Sequence, residues 1–295
     1  MQQAHDRNIP LDSLDRKREQ LLDLIRSFES CAVAFSAGVD STVVAKAAQL
    51  ALGPRAVAVT GVSASLADGE GEQARQLADL IGIRHEMIET DEFANEDYLR
   101  NDTDRCYHCK NELFTQIEKI APRLGVAVIL SGANADDVGD YRPGMQAARE
   151  HSVRSPLWEC GITKEELRRL AAYWELPVWD KPAMPCLASR VAYGEEVTPQ
   201  RLQMIDRGEV LLRNQGLPTV RVRYHKGDMA RLEVPVDQLA RLVEPSLRDK
   251  LVEEFKELGF RCVTLDLEGF RSGSLNTLVP VEDLSAAGTA HQATE

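Results

Sequence analysis

Apolar residues along this chain change their period several times, and each change marks an element. Leu11 to Phe28 carries the three- and four-residue spacing of an amphipathic helix. Cys31 to Phe35 (CAVAF) is a continuous apolar run, as in a short strand buried on both faces. A tight turn of small residues follows, and Thr42 to Ala48 reads as a helix. Arg55 to Thr60 (RAVAVT) predicts a second strand, and Glu70 to Ile81 a helix closed by Gly82 at the position after its end. Arg84 to Glu89 reads as a short strand, Asn111 to Leu124 as a helix, and Val126 to Ser131 as another buried strand. Strands alternating with helices predict an α/β fold with a doubly wound, mostly parallel sheet. Ligands bind such sheets at the carboxyl ends of the strands, where residues 36–41, 60–65 and 131–137 fall.

The alternation stops at Pro177 to Cys186, where three prolines fix an extended path that no helix can follow. A smaller α+β unit is expected beyond it. It has a helix from Pro199 to Gln215, a strand from Thr219 to Tyr224, a turn at 225–228 and a strand from Met229 to Val234. A helix from Leu247 to Leu258 and a strand from Arg261 to Leu267 complete it. The expected division is therefore 1–185, 186–282 and a disordered, small and polar tail at 283–295.

Composition narrows the class. A chain of 295 residues, 43% hydrophobic and 28% charged, is that of a globular protein of two domains. No apolar run approaches the ~20 residues a membrane span needs. Residues 1–17 are polar and mixed in charge, unlike a signal or transit peptide. The net charge of −12 opposes a large nucleic-acid footprint, though not a local basic pocket. Six cysteines, at 31, 106, 109, 160, 186 and 262, are too sparse for a disulfide scaffold. The expectation is a reduced, cytoplasmic protein acting as a homo-oligomer on a small molecule, with neither membrane nor nucleic acid as partner.

The chemistry starts at Ser36-Ala37-Gly38-Val39-Asp40-Ser41, between the first strand and its helix. Such a turn leaves backbone N–H groups and the positive end of a helix dipole at the sheet edge, which suits phosphate. There is no Gly-Lys-Ser/Thr ending, so it is not a Walker loop. It resembles SGGxDS, the pyrophosphate-binding loop of enzymes that cleave ATP between its α- and β-phosphates, with Ala37 where that family usually has glycine. The ATP contacts implied are Ser36, Gly38, Val39, Asp40, Ser41, Thr60 and Gly132.

Four further stretches occur in order: Arg105-Cys106-Tyr107-His108-Cys109-Lys110, residues 131–144, Lys181 to Arg190 with Tyr193-Gly194-Glu195, and Gly269 to Asn276. With the loop, they are similar to the ATP-dependent sulfur transferases that make the thiocarboxylates of the nickel-pincer nucleotide cofactor of lactate racemase. The resemblance runs from about residue 15 to about 280. It implies that ATP adenylylates a carboxylate on a pyridinium dicarboxylate mononucleotide and that a protein cysteine attacks the acyl-adenylate. In the sacrificial version, β-elimination then breaks the Cβ–S bond and leaves dehydroalanine. Cys186 matches the family's sulfur donor, on a stiff segment with Arg190 four residues on to hold phosphate or lower the thiol pKa. Relatives holding an iron–sulfur cluster carry extra cysteines near this point, and here Ser189 and its neighbours supply none.

Other residues carry both a bland and a functional reading. Asp40 and Asp137 suit Mg²⁺ on departing pyrophosphate, whereas Asp136 reads as a helix cap. Arg221 and Arg223 share one face of a strand and fit either a solvated surface or the substrate phosphate, near Cys186. Glu233 would orient that pair or bind metal, and Arg271 would anchor substrate. Cys106 and Cys109 lack the second pair a zinc site needs and read as structural residues opening a helix. The alternatives are another enzyme sharing the loop, such as a tRNA thiolase or an amide-forming synthetase, or an adenine-nucleotide-binding module without turnover.

Overall fold

The computed structural model describes residues 11–137, 143–182 and 185–271. The helices in chain order are α1 (Leu11–Arg26), α2 (Val39–Leu52), α3 (Glu70–Ile81), α4 (Glu96–Leu99), α5 (Arg105–Leu124), α6 (Pro143–Glu150), α7 (Pro156–Glu159), α8 (Lys164–Tyr173), α9 (Pro199–Asn214), α10 (Leu239–Leu242) and α11 (Pro245–Glu257). The strands are β1 (Cys31–Ala34), β2 (Ala56–Val62), β3 (Arg84–Glu89), β4 (Val128–Leu130), β5 (Arg221–His225), β6 (Met229–Glu233) and β7 (Cys262–Leu265). They form two compact units. The described residues of the first fall within Met1–Gly61, Glu70–Thr90 and Lys110–Met184, those of the second within Val62–Gly69, Asp91–Cys109 and Pro185–Glu295.

The first unit holds a four-stranded, mostly parallel sheet in the order β3-β2-β1-β4, flanked by helices. β1 is the central strand, parallel to β2 on one side and β4 on the other. All four of its residues are buried, which its unbroken apolar run requires. Leu21 and Ile25 of α1, Val43, Val44 and Ala47 of α2, and Leu167 and Leu170 of α8 share its core. Because β1, β2 and β4 are parallel, the segments after them emerge at one edge of the sheet, so residues 36–41, 60–61 and 131–137 are neighbours.

The second unit has a three-stranded sheet, β5-β6-β7. β5 and β6 form an antiparallel hairpin that sets Arg221 opposite Glu233 and Arg223 opposite Arg231. Gly227 and Asp228 take positive φ of 79° and 56° in its tight turn. Leu202, Ile205, Val222, Leu251, Phe255 and Phe260 fill its core.

Two expectations need correction. The sequence reading left 143–176 without elements and started the fourth long helix at Asn111. The structure has α6, α7 and α8 there, and α5 begins at Arg105, so the CxxC lies within a helix. Segments 62–69 and 91–109, taken as part of the first domain, belong to the second unit. The cause is packing, since Tyr98 is buried in the second core with Ala67, Phe93, Leu99 and Cys109 against it. The tail at 283–295 lies outside the described residues.

Candidate active site

The phosphate loop is shaped by two small residues and one strained one. Gly38 caps α2 in an extended conformation without any side-chain cap, which leaves the first N–H groups of the helix open to an anion. Thr42 Oγ1 and Ser41 Oγ donate to Gly38 O at 2.8 and 3.2 Å, and Ser36 N donates to Ser41 Oγ at 3.2 Å, so the turn is bonded to itself. Ala37, where the resembled motif has glycine, sits at φ 55° with its methyl group buried in the core. Left-handed backbone costs a non-glycine residue about 1–2 kcal/mol, and a buried methyl returns roughly 0.8 kcal/mol of it. The two effects nearly cancel, so Ala37→Gly should change stability by less than about 1 kcal/mol in a denaturant titration. Gly132, just past β4, has no such latitude: a Cβ there would lie 2.9 Å from Ser41 N and 3.0 Å from Asp40 Cβ.

Asp40 stands in the first turn of α2 and is held from two sides. Asn134 Nδ2 donates to one carboxylate oxygen at 3.0 Å and Lys164 Nζ to the other at 2.5 Å. Asn134 also ties in Asp137, whose Oδ2 accepts from the Asn134 N–H at 2.9 Å. Asp136 is not the cap of a helix, since Thr163 caps α8, but its Oδ2 accepts from Lys164 N at 2.7 Å at the start of that helix. Thr60 is 3% exposed and engaged within the sheet. Its hydroxyl donates to Phe35 O at 2.8 Å and meets His85 Nε2 at 2.8 Å, which assigns the proton on that nitrogen to the histidine. Burial lowers the His85 pKa, consistent with a neutral ring.

Cys186 opens a 3-10 turn, Leu187–Arg190, and is exposed. Its carbonyl accepts from Ser189 N at 3.0 Å, Ser189 Oγ at 2.7 Å and Arg190 Nη1 at 2.9 Å. Arg190 is 2% exposed; Nε donates to Glu209 Oε1 at 3.0 Å and Nη1 also donates to Pro185 O. The expected phosphate contact from Arg190 is therefore replaced by a brace: its charge is paired with a fully buried carboxylate and its donors hold the cysteine turn. Removing one member of a buried pair leaves the other charge stranded. Glu209→Ala should cost about 3–5 kcal/mol, read as a fall in thermal or denaturant midpoint.

A second arginine clamps the same turn. Arg105, at the start of α5 and 6% exposed, donates to Ala188 O at 2.9 Å and to the Asn101 side chain. Asn101 in turn donates to Ala192 O at 2.8 Å and Glu195 O at 3.0 Å. Desolvation opposes the Arg105 charge, but attraction to Cys186 and Cys106 as thiolates, and to Tyr98 and Tyr193 as phenolates, outweighs it, and its pKa is raised. Burial pushes the Tyr98 hydroxyl up strongly, with Cys186, Cys109 and Glu92 adding to it. The CxxC thus lies in the electrostatic surroundings of Cys186, which its distance along the chain conceals. Among the described residues no three His, Cys, Asp or Glu side chains gather as a metal ion would require.

From β5, Arg223 reaches this turn as well. Ala192 N donates to Tyr224 O at 2.9 Å, and Arg223 Nη1 donates to Ser189 O at 3.0 Å. Arg223 also pairs with Glu233 at 3.0 Å, and Arg231 meets the other oxygen of Glu233 at 3.0 Å. Glu233 is fully buried between two guanidiniums, so it orients Arg223, and the metal-binding alternative fails because two cations already occupy its oxygens. Arg221 is 7% exposed and lies 5.1 Å over the Phe270 ring. Burial, then the charges of Arg190 and Arg223, lower its pKa to about 10, which leaves it charged at neutral pH. Arg271 pairs with Glu268 at 2.6 Å and Asp266 at 3.6 Å and is 40% exposed at its side chain.

The asparagine synthase family matches residues 18–176, the stretch that carries the phosphate loop, Asn134 and Lys164. Over 266 residues the chain is 36% identical to the pyridinium-3,5-bisthiocarboxylic acid mononucleotide synthase of Lactiplantibacillus plantarum, covering 90% of this chain and 95% of that one. The chain belongs to the pyridinium-3,5-bisthiocarboxylic acid mononucleotide synthase family. That family lies within the PP-loop superfamily, and the similarity to the synthase covers far more of the chain than the stretch 18–176. An uncharacterized Synechocystis protein is 46% identical over 90% of this chain and 99% of its own length. A tRNA-specific 2-thiouridylase of Rickettsia felis is 28% identical over 51% of each chain. No helix among the described residues is long and apolar enough to cross a membrane.

Proposed function

We propose that this chain uses ATP to convert the carboxylates of a pyridinium dicarboxylate mononucleotide into thiocarboxylates, with the sulfur of Cys186. The observation that carries the reading is the Cys186 turn: an exposed thiol on a backbone fixed by two buried arginines, in a chain aligned to the synthase nearly end to end. Cys31 is the contrasting case, a buried thiol pushed up to about 12 by its burial; Cys106 and Cys262 are exposed like Cys186 but lack its braced turn.

The chemistry divides between the two units. At the first, a substrate carboxylate oxygen attacks the α-phosphorus of ATP, and pyrophosphate leaves along the N–H groups at the start of α2. Mg²⁺ binds through hard oxygens, typically one or two carboxylates plus substrate phosphates, and Asp40 with Asp137, linked through Asn134, fit that donor set. When bound it would neutralise charge on the pyrophosphate. At the second, the Cys186 sulfur attacks the acyl carbon and AMP leaves. Arg105 supplies a positive charge beside that sulfur, while Arg190 is engaged with the buried Glu209 and the carbonyls of the turn. A base then removes the Cα–H, the Cβ–S bond breaks, and the product keeps the sulfur while residue 186 becomes dehydroalanine.

Arg221 and Arg223 are proposed to hold the substrate phosphate, with Glu233 fixing the second. A charged hydrogen bond of this kind is worth roughly 1.5–3 kcal/mol, so Arg221→Ala and Arg223→Ala should each weaken mononucleotide binding about ten- to a hundredfold. ATP affinity should hardly move. Calorimetric titration of each ligand checks this, and unchanged mononucleotide affinity in both variants would reduce the pair to structural arginines. The full reading is tested by incubating the chain with ATP, Mg²⁺ and the mononucleotide and assaying pyrophosphate, AMP and thiocarboxylate together.

A further inference from the structure

Tyr98, in α4, buries its hydroxyl without giving it a partner. The residue is 1% exposed, and among the described residues no hydrogen bond reaches its Oη. A buried donor is costly to leave unpaired, and phenylalanine would fill the same space without that cost. Packing explains the ring, which meets Phe93 edge-on with centroids 5.3 Å apart. It does not explain the hydroxyl.

The surroundings do. Tyr98 shares one core with Leu187 and Ala188, the two residues after Cys186, and Cys109 packs against that core. The other polar groups of this region are already engaged. Glu92 Oε1 accepts from Ser63 Oγ at 2.5 Å and Ser65 Oγ at 2.7 Å, and Ser65 O accepts from Leu187 N at 3.2 Å. Arg105 donates to Ala188 O, and Asn101 to Ala192 O and Glu195 O. Burial above all holds the proton on Tyr98, and Cys186, Cys109 and Glu92 add to this, so the group stays a neutral donor at physiological pH.

The transfer reaction has a use for such a donor. When the Cys186 sulfur attacks the acyl carbon, an S–C bond forms and the carbonyl π pair moves onto oxygen. As that pair returns, the C–O bond to AMP breaks and AMP takes its electrons. The oxygen is negative only in between, so a fixed donor beside it stabilises the transition state more than the bound substrate.

We propose that Tyr98 is a catalytic residue of sulfur transfer, its hydroxyl donating a hydrogen bond to the acyl oxygen while Cys186 attacks the acyl carbon. The tyrosine keeps its proton throughout. The inference rests on the reading of Cys186 as sulfur donor and adds to it the group that meets the developing charge.

The test is Tyr98→Phe in the full chain, quenched rapidly after mixing with ATP, Mg²⁺ and the mononucleotide. Pyrophosphate should appear at the parent rate, while thiocarboxylate forms about 10²–10³-fold more slowly. The thermal midpoint should equal or exceed the parent's, because an unpaired buried hydroxyl has been removed. Alkylation of Cys186 by iodoacetamide, followed by peptide mapping, should keep the parent's pH profile, because the hydroxyl acts on the acyl oxygen and not on the thiol. Thiocarboxylate formed at the parent rate, a lowered midpoint or a shifted alkylation profile would each overturn the proposal. Parent chains that form thiocarboxylate with Cys186 intact would instead overturn the sulfur-donor reading on which it stands.

Discussion

Cys186→Ser should release pyrophosphate and form the acyl-adenylate as the unsubstituted chain does, yet yield no thiocarboxylate at all. The loss is absolute because a hydroxyl has no sulfur to give, whereas the groups assigned to ATP lie in the loop after β1, the first turn of α2, β2 and residues 132–137 after β4. The turn itself should survive the substitution. Its hydrogen bonds run through the carbonyls of Pro185 and Cys186, the Arg190 guanidinium and Ser189, none of which needs the thiol. Parallel assays of pyrophosphate and product thiocarboxylate make the measurement. Sulfur transfer persisting in Cys186→Ser would assign the donor elsewhere, and Cys106 and Cys109 would then be the thiols to substitute, since both share electrostatic surroundings with Cys186.

Asp40→Asn should lower pyrophosphate release by about 10²–10³-fold and leave the fold intact. The carboxylate carries one of the negative charges that fit a divalent cation, and it also holds Lys164. An amide keeps the shape and one acceptor but not the charge. Its Nδ2 would also face the Asn134 Nδ2 that now donates to Asp40 Oδ1, unless one amide turns over. Since the side chain is partly exposed and makes no core contact, the cost should fall on catalysis rather than on stability. Pyrophosphate release at the parent rate would remove Asp40 from the reaction.

The sheet and the phosphate loop were legible because each is written in one continuous stretch. CAVAF followed by SAGVDS contains a buried strand, a turn of small residues and a helix start; the strand falls where the sequence places it, while α2 begins at Val39, three residues before the Thr42 expected from the pattern. The mistakes concern partners far apart along the chain. Arg190 looked available for phosphate because its partner, Glu209, sits 19 residues on in a helix read only by its periodicity. Segment 91–109 lies between elements of the first unit, and only the burial of Tyr98 in the other core reveals its allegiance. Lys164 had a readable signal, a cation at a helix start just behind a capping-box threonine, but it carries weight only once α8 is recognised. Arg105 offered even less, since a basic residue beside two cysteines suggests a surface until its bond to Ala188 O is seen.

The central claim is that Cys186 gives up its own sulfur, and the mass of that residue decides it. The full chain, incubated with ATP, Mg²⁺ and the mononucleotide until product stops accumulating, should yield about one sulfur per chain. Peptide mapping should then find residue 186 lighter by the mass of H₂S, about 34 Da, as dehydroalanine, with Cys31, Cys106, Cys109, Cys160 and Cys262 unchanged. An intact Cys186 in chains that have delivered thiocarboxylate would contradict the sacrificial mechanism outright, and product in excess of one sulfur per chain would contradict it as firmly.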